Sequence, residues 1–357
     1  MRITFLVLGA DMSGGARVIS IYARELERRG HDVRIVVALG LQPTLREHVR
    51  RLRRGQLRHV RPTRQPSHYD SIDHLVHRLD RLGPIRPTDC PDADVIVATW
   101  WETAEWMAAM PASKGRHVHF VQGYEAFEHM PKDRVDAVLR SPNRKITISH
   151  WLDDLLRNEF GNRDVHHVPN GVDMRQFNAP PRDRSASPVV GMLYHEASIK
   201  NSQDGIDAFV GLKAEMPDAK LIAFGNVAPS DAVPLPAGTS YHRSPPQDAI
   251  KNIYAACDVW LCSSTREGFH LPPLEAMACR CPVISTPVGG PLDIVKQGEN
   301  GFLVPMKDVP AMTGALIDFF AMDAAAWRQM SDQAYETALG CDWGHAADSF
   351  EIALCSA

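Results

Sequence analysis

No stretch of this 357-residue chain reaches the roughly 18 consecutive apolar residues of a membrane-spanning helix, so no span is expected. The opening, MRITFLVLGADMSGG, has a short apolar run without a small-residue cleavage site. It reads as a strand and turn, not as a signal peptide. Cysteine forms no framework. Cys90, Cys257, Cys262, Cys279, Cys281, Cys341 and Cys355 are odd in number and scattered in apolar surroundings, which suits reduced cytoplasmic thiols. Cys279 and Cys281 have no second pair and no histidine cluster beside them, so no metal is expected. Charge of one sign is not in surplus. With 39 Lys and Arg against 43 Asp and Glu, net −4, the whole molecule is not a polyanion binder and nucleic acid is not an expected partner. There is no solenoid repeat and no low-complexity tract. A G-x-x-x-x-G-K-[ST] phosphate loop is absent too, so ATP hydrolysis has no support.

What is present is alternation. RITFLVLG is an apolar strand, followed by ADMSGG and the amphipathic stretch ARVISIYARELERRG, with Gly30 ending the helix before HDVRIVVAL. ADVIVATWW, RHVHFVQG and RKITIS continue the series. A second series runs through PVVGMLY, AKLIAFG, CDVWLCSS and CPVISTP. Short apolar runs alternating with helices imply parallel strands buried on both faces. Between the series lies VPNGVDMRQFNAPPRDRSASP, rich in turn formers and a candidate linker. The expected organisation is α/β, with two doubly wound domains. Residues 1–172 form an N-terminal domain and 173–340 a C-terminal domain. A helix in 341–357 packs back on the first. In such sheets ligands bind beyond the carboxyl ends of the strands, so the site is expected in the cleft between the domains.

The densest chemistry is in EGFHLPPLEAM, residues 267–277. Proline favours the first helical positions, which starts a helix about Pro272 or Pro273 with Glu275 in its first turn. A helix N-terminus preceded by a glycine loop suits a phosphate. Carboxylates on either side, Glu267 and Glu275, suit pairs of sugar hydroxyls, the outline of a nucleotide sugar. The same spacing also suits a glutamate complementing the helix dipole and a solvated loop residue.

The segment EGFHLPPLEAMACRCPVISTPVGGPLDIVKQGENGFLV resembles the signature of family-4 glycosyltransferases of the GT-B fold, with its E-x7-E pair. MSGGARVISIYARELERRGHDV, TISHWLDDLLRNEFG, VPNGVDMRQF and SIKNSQDGIDAFVGLKAEMPDAKLIAFG resemble, in order, further parts of that family. The resemblance implies a GT-B architecture of two Rossmann-like domains facing across a cleft. It implies transfer of a hexose from a nucleotide-sugar donor to a carbohydrate, lipid-linked or small-molecule hydroxyl, with retention and without metal or cofactor. It assigns Lys200 to the donor diphosphate, Glu267 to donor-sugar hydroxyls and Glu275 to the ribose. Lys200 and Glu267 become the catalytic pair. Gly14 and Gly15 match the first-domain turn at the phosphate. Gly268, Phe269, His270 and Leu271 complete the donor loop. A nucleotide-sugar 2-epimerase and a non-catalytic nucleotide-sugar binder are the rival readings on this fold.

There are departures. Tyr194 and His195 stand where an arginine is common, leaving one fixed positive charge to be replaced by a protonated His195, Arg266 or Arg243. His270 stands where glycine is common, its ring a candidate contact for the donor sugar, and Arg280 stands where glycine is common at a helix end. Gln122 aligns with the family's sugar-contacting histidine, and His119 reads as a packed residue. Trp100 and Trp101, with Gln122 and Glu125, follow first-domain strands and are acceptor-side candidates; the tryptophans equally suit core packing. The D-x-D at Asp92–Asp94 precedes a strand and reads as a turn. The basic run 45–64, LREHVRRLRRGQLRHVRPTR, suits an anionic membrane surface, an anionic acceptor or a solvated flap.

Overall fold

In the computed structural model, described over residues 1–40, 66–128 and 130–355, the two series of apolar runs become two all-parallel sheets. The run 45–64 lies outside the described residues. Contacts divide the chain into two units. The first is Met1–Thr147, Leu152–Val168 and Ala347–Ala357; the second is Ile148–Trp151 and Pro169–Ala346.

The first unit holds β1 (Arg2–Val7), β2 (Asp32–Val37), β3 (Val76–Arg78), β4 (Val95–Ala98), β5 (Arg116–Val121), β6 (Arg144–Thr147) and β7 (Val165–His167). Their order is β3-β2-β1-β4-β5-β6-β7. The chain steps outward from β1 and returns on its other side at β4, so the order reverses between those two strands. All four residues of β4 are buried, which is why it reads as a continuous apolar run. The helix Gly14–Arg28 begins at Ser13, whose side chain accepts a hydrogen bond from the Ala16 N–H. It buries Val18, Ile19, Tyr22, Ala23 and Leu26, the three-to-four spacing of one helical face.

The last helix, Trp343–Cys355, brings Phe350 into this unit. Its ring stacks on Tyr22 at 4.2 Å and meets Phe120 edge-on at 5.0 Å. Arg144 Nη1 donates to the Ala353 carbonyl at 2.8 Å and Arg116 donates to that of Leu354, placing cations on the free carbonyls of the helix C-terminus. Both boundaries differ from the sequence expectation. Val168 N–H still pairs with Thr147 of the first sheet, at 2.7 Å, whereas Val172 N–H binds Cys341 of the second unit, at 2.7 Å. The first unit thus ends at Val168, not 172, and it takes up the chain again at Ala347, not 341.

The second unit holds β8 (Val189–Leu193), β9 (Lys220–Gly225), β10 (Ser240–Arg243), β11 (Val259–Cys262), β12 (Val283–Ser285) and β13 (Gly301–Leu303). Their order is β10-β9-β8-β11-β12-β13, with the reversal between β8 and β11. These two strands pack closely. A Cβ added at Gly191 would lie 2.4 Å from the Trp260 ring and 2.5 Å from Cys257 Sγ, so only glycine fits there.

Candidate functional site

The loops leaving β8 and β11 meet at this reversal, where open parallel sheets bind ligands. After β8, the backbone N–H of His195 donates to Ser202 Oγ at 3.0 Å, and that hydroxyl donates back to the His195 carbonyl at 2.9 Å. The turn delivers Lys200 just before the helix Ser202–Glu215. After β11, Ser263 Oγ donates to the Asn201 carbonyl at 2.8 Å and Thr265 N–H to that of Ile199 at 2.8 Å, tying the two loops together.

Lys200 Nζ is thereby held against both oxygens of Glu267, at 2.7 and 2.9 Å. Ser264 Oγ donates to Oε1 at 2.8 Å, and His270 Nδ1 lies 3.2 Å from the same oxygen. Burial works to raise the pKa of Glu267, but its hydrogen bonds with His270 and Lys200 and the charge of Lys200 hold its carboxyl well below the usual carboxylate range. His195 is pushed down by burial and by the charge of Lys200, and its Nδ1 accepts the Ala197 N–H at 2.9 Å. A ring that accepts at Nδ1 while its pKa is lowered is poorly suited to be the missing fixed cation. Arg243, at the end of β10, is exposed.

The next helix spans Leu271–Ala278, one residue earlier than the prolines predict. His270 precedes it at φ 73°, ψ 78°, a left-handed conformation costing about 1–3 kcal/mol for a non-glycine residue. That cap leaves Pro272 and Pro273 at the second and third helical positions. Two of the N–H groups that a helix start normally offers an anion are therefore missing, and Lys200 carries more of that task. Glu275 falls in the second turn, not the first. It is 6% exposed, and its Oε2 accepts from the hydroxyl of fully buried Tyr254 at 2.9 Å.

The donor loop is also held by its carbonyls. That of Gly268 accepts from Ser149 Oγ at 2.8 Å and Trp151 Nε1 at 3.1 Å, and that of Phe269 accepts from Gly290 N–H at 2.5 Å. Gly289, at φ 55°, lies so near that an added Cβ would sit 2.7 Å from the Phe269 oxygen. Ser149, Trp151 and Tyr254 were not read as site residues from the sequence. A PVGG turn after a strand was the only local signal for the clamp. Leu271 is half-buried at the helix start.

In the first unit, Gly14 and Gly15 open the helix after β1. A Cβ at Gly15 would lie 3.6 Å from Gln122 Nε2, so two predicted residues are brought together. Trp100 is half-buried. Trp101 is 3% exposed, and Arg134 lies 4.7 Å from its ring. Glu125 is 6% exposed and accepts the Trp101 N–H at 2.7 Å. Trp101 and Glu125 thus have packing and helix-capping contacts. His119 is buried, as read, and burial lowers its pKa well below the ordinary value. Asp92 pairs with Lys114 and Asp94 with Arg2, both at 2.9 Å, which makes the D-x-D a turn feature.

Two family models match. "Glycosyltransferase Family 4" covers residues 12–176 and "Glycosyl transferases group 1" covers 173–337. Among curated relatives, the N-acetyl-alpha-D-glucosaminyl L-malate synthase of Bacillus anthracis is 28% identical over 190 residues, 49% of each chain. The GDP-mannose-dependent alpha-mannosyltransferase of Corynebacterium glutamicum is 26% identical over 210 residues, 54% of this chain and 49% of its own. The matches thus span about half the length of these relatives. Among solved structures, sucrose-phosphate synthase of Thermosynechococcus elongatus has a TM-score of 0.74 at 18% identity over 98% of both chains. HepE of Anabaena, solved with UDP-glucose, has a TM-score of 0.72 at 17% identity over the whole of both. These likenesses show the GT-B fold. With the two family models, they show that the chain belongs to the family-4 glycosyltransferases.

Proposed function

We propose that the chain transfers a hexose from a nucleoside diphosphate sugar to an acceptor hydroxyl, with retention at the anomeric carbon. The observation that carries this is the clasp of Lys200 by buried Glu267 at the β8–β11 reversal. A lysine is a compact charge on a flexible stem, free to exchange a carboxylate for a diphosphate. On that exchange Glu267 keeps its hydrogen bond from Ser264 and turns its remaining capacity to sugar hydroxyls. Lys200 then neutralises charge as the diphosphate departs, and the diphosphate takes the acceptor proton. Glu275, its carboxylate oriented by Tyr254, takes the ribose hydroxyls. The relative named for GDP-mannose supports a nucleotide-sugar donor. Seven free thiols, five of them buried, suit a reducing cytoplasmic setting. Among the described residues no single helix is long and apolar enough to cross a membrane.

Thermal melting with UDP, GDP, ADP and dTDP tests the donor half. A ligand at about one hundred times its Kd adds about 2.7 kcal/mol, and the melting temperature rises. Incubating the corresponding sugars with candidate acceptors tests the transfer. Free nucleotide with a glycosylated product supports it. An isomerised sugar without transfer points to epimerisation, and neither product points to a binding protein.

A further inference from the structure

His270 occupies a backbone conformation that suits glycine, and its side chain is 3% exposed. Its Nδ1 faces Glu267 Oε1, an oxygen that already accepts from Lys200 and Ser264. An ionised carboxylate only accepts, so Nδ1 carries the hydrogen. In the neutral ring Nε2 then presents a lone pair. That atom is buried and has no hydrogen-bond partner among the described residues. The ring lines a small pocket with Leu193, Lys200, Leu261, Cys262, Ser263 and Ser264.

A buried acceptor without a donor is costly, and it is strongly selective for what relieves it. A phosphate oxygen does not, because it also accepts. A ring C–H or a methyl group offers no hydrogen bond of useful strength. A hydroxyl does. We infer that His270 Nε2 accepts a hydrogen bond from one hydroxyl of the donor sugar, so that Glu267 and His270 together read two hydroxyls of the hexose. Lys200 is left for the diphosphate. Glu267 has a second part in this: it fixes the histidine tautomer by holding Nδ1–H. The inference rests on the proposed donor class and deepens it, making His270 a residue that selects which hexose is used.

The test starts from UDP-glucose, UDP-galactose, UDP-N-acetylglucosamine and GDP-mannose. The donor that wild type consumes fastest is then compared with its 2-, 3-, 4- and 6-deoxy forms. Wild type is expected to lose about tenfold or more in kcat/KM at the position His270 reads. In His270→Phe, which keeps a ring without an acceptor, that one penalty should shrink to below about threefold while the others persist. His270→Gly suits the left-handed backbone and serves as the second variant, with the same expected result. Nucleoside diphosphate affinity should stay within about threefold in both, because the inference assigns the ring to a sugar hydroxyl and Lys200 to the diphosphate. An unchanged pattern of deoxy penalties in both variants overturns the inference. So does a tenfold loss of nucleoside diphosphate affinity without any change in that pattern. If wild type binds none of the nucleoside diphosphates, the donor reading itself falls and takes the inference with it.

Discussion

Lys200 and Glu267, 67 residues apart in sequence, share two hydrogen bonds, with Nζ between the carboxylate oxygens. The pair is a resting arrangement in which each group satisfies the other. It sets the first prediction. Lys200→Ala should lower kcat by more than it raises donor KM, since the charge it neutralises develops as the bond breaks. The variant should also lose about 1.5–3 kcal/mol of stability, because Glu267 is left buried with its main cation gone. Steady-state kinetics and chemical denaturation check both. A pure KM effect would assign Lys200 to ground-state binding alone.

Tyr254 gives the second. Tyr254→Phe removes the hydroxyl that binds Glu275 and leaves a buried carboxylate oxygen without that donor. Stability should fall by about 1–3 kcal/mol. Affinity for a nucleoside diphosphate should fall several-fold by calorimetry, and by at least about tenfold in Glu275→Ala, which removes the charged acceptor itself. Full affinity in Glu275→Ala would exclude the ribose contact.

Glu125 makes stability depend on pH in a direction opposite to most carboxylates. Burial raises its pKa well above the ordinary value, opposed by the Trp101 N–H and aided by the charge of Glu102. The folded state therefore keeps this proton to higher pH than the unfolded chain. The associated stability is fully present below the unfolded value, near 4.3, and is lost as pH rises through the folded one. Glu125→Gln keeps an acceptor for Trp101 and removes the titration. Its melting temperature relative to wild type should climb between pH 4 and pH 8. A flat difference across that range would show that Glu125 ionises normally.

Arg144 is 7% exposed and binds Asp164 with Nε, at 3.0 Å, and the last-turn carbonyl of Ala353 with Nη1. Arg144→Ala should lower stability by about 1.5–3 kcal/mol. It should not weaken nucleoside diphosphate binding at the β8–β11 loops, which belong to the other unit. Denaturant melts and calorimetry on one preparation separate the two effects.

The basic run 45–64 carries eight arginines against one glutamate. If it rests on an anionic bilayer, the protein should sediment with phosphatidylserine vesicles at low salt and be released at 1 M, where the Debye length is about 3 Å. Replacing Arg50, Arg51, Arg53 and Arg54 with glutamine should abolish sedimentation and spare turnover of a soluble acceptor. Loss of that turnover would place the arginines at the acceptor instead.

Legibility followed burial. Strands such as β4 and β11 were readable because both faces are covered and the sequence becomes continuously apolar. β3, β7 and β10 were not, because edge strands with half-wet residues such as Val76-His77-Arg78 look like loops. In the candidate site, Glu267, Gly268 and Glu275 were visible as charges and a glycine around a helix start, and Lys200 only through the family resemblance. Tyr254 was not, since a buried tyrosine on another helix carries no local mark of its partner. Trp101 and Glu125 were picked for their place after a strand; both are buried, and Glu125 accepts the N–H at the start of the Trp101 helix, a pairing that spacing does not reveal. Arg280 needed a compensation that spacing does not reveal. It holds φ at 60° where glycine is usual, its Nε donates to the Ala179 carbonyl at 3.1 Å, and its guanidinium stacks 4.1 Å from the Tyr335 ring.

Phe350 closes the core of the unit that begins at residue 1, although it lies 230 residues beyond Phe120, the β5 residue whose ring it meets. On the ribosome the order of completion is therefore inverted. The 169–346 unit has all its strands in one continuous stretch and can close while translation proceeds. The unit translated earlier must wait with Phe5, Tyr22 and Phe120 incompletely covered until Phe350 emerges, a window in which a chaperone that shields aromatic surface would have most to offer.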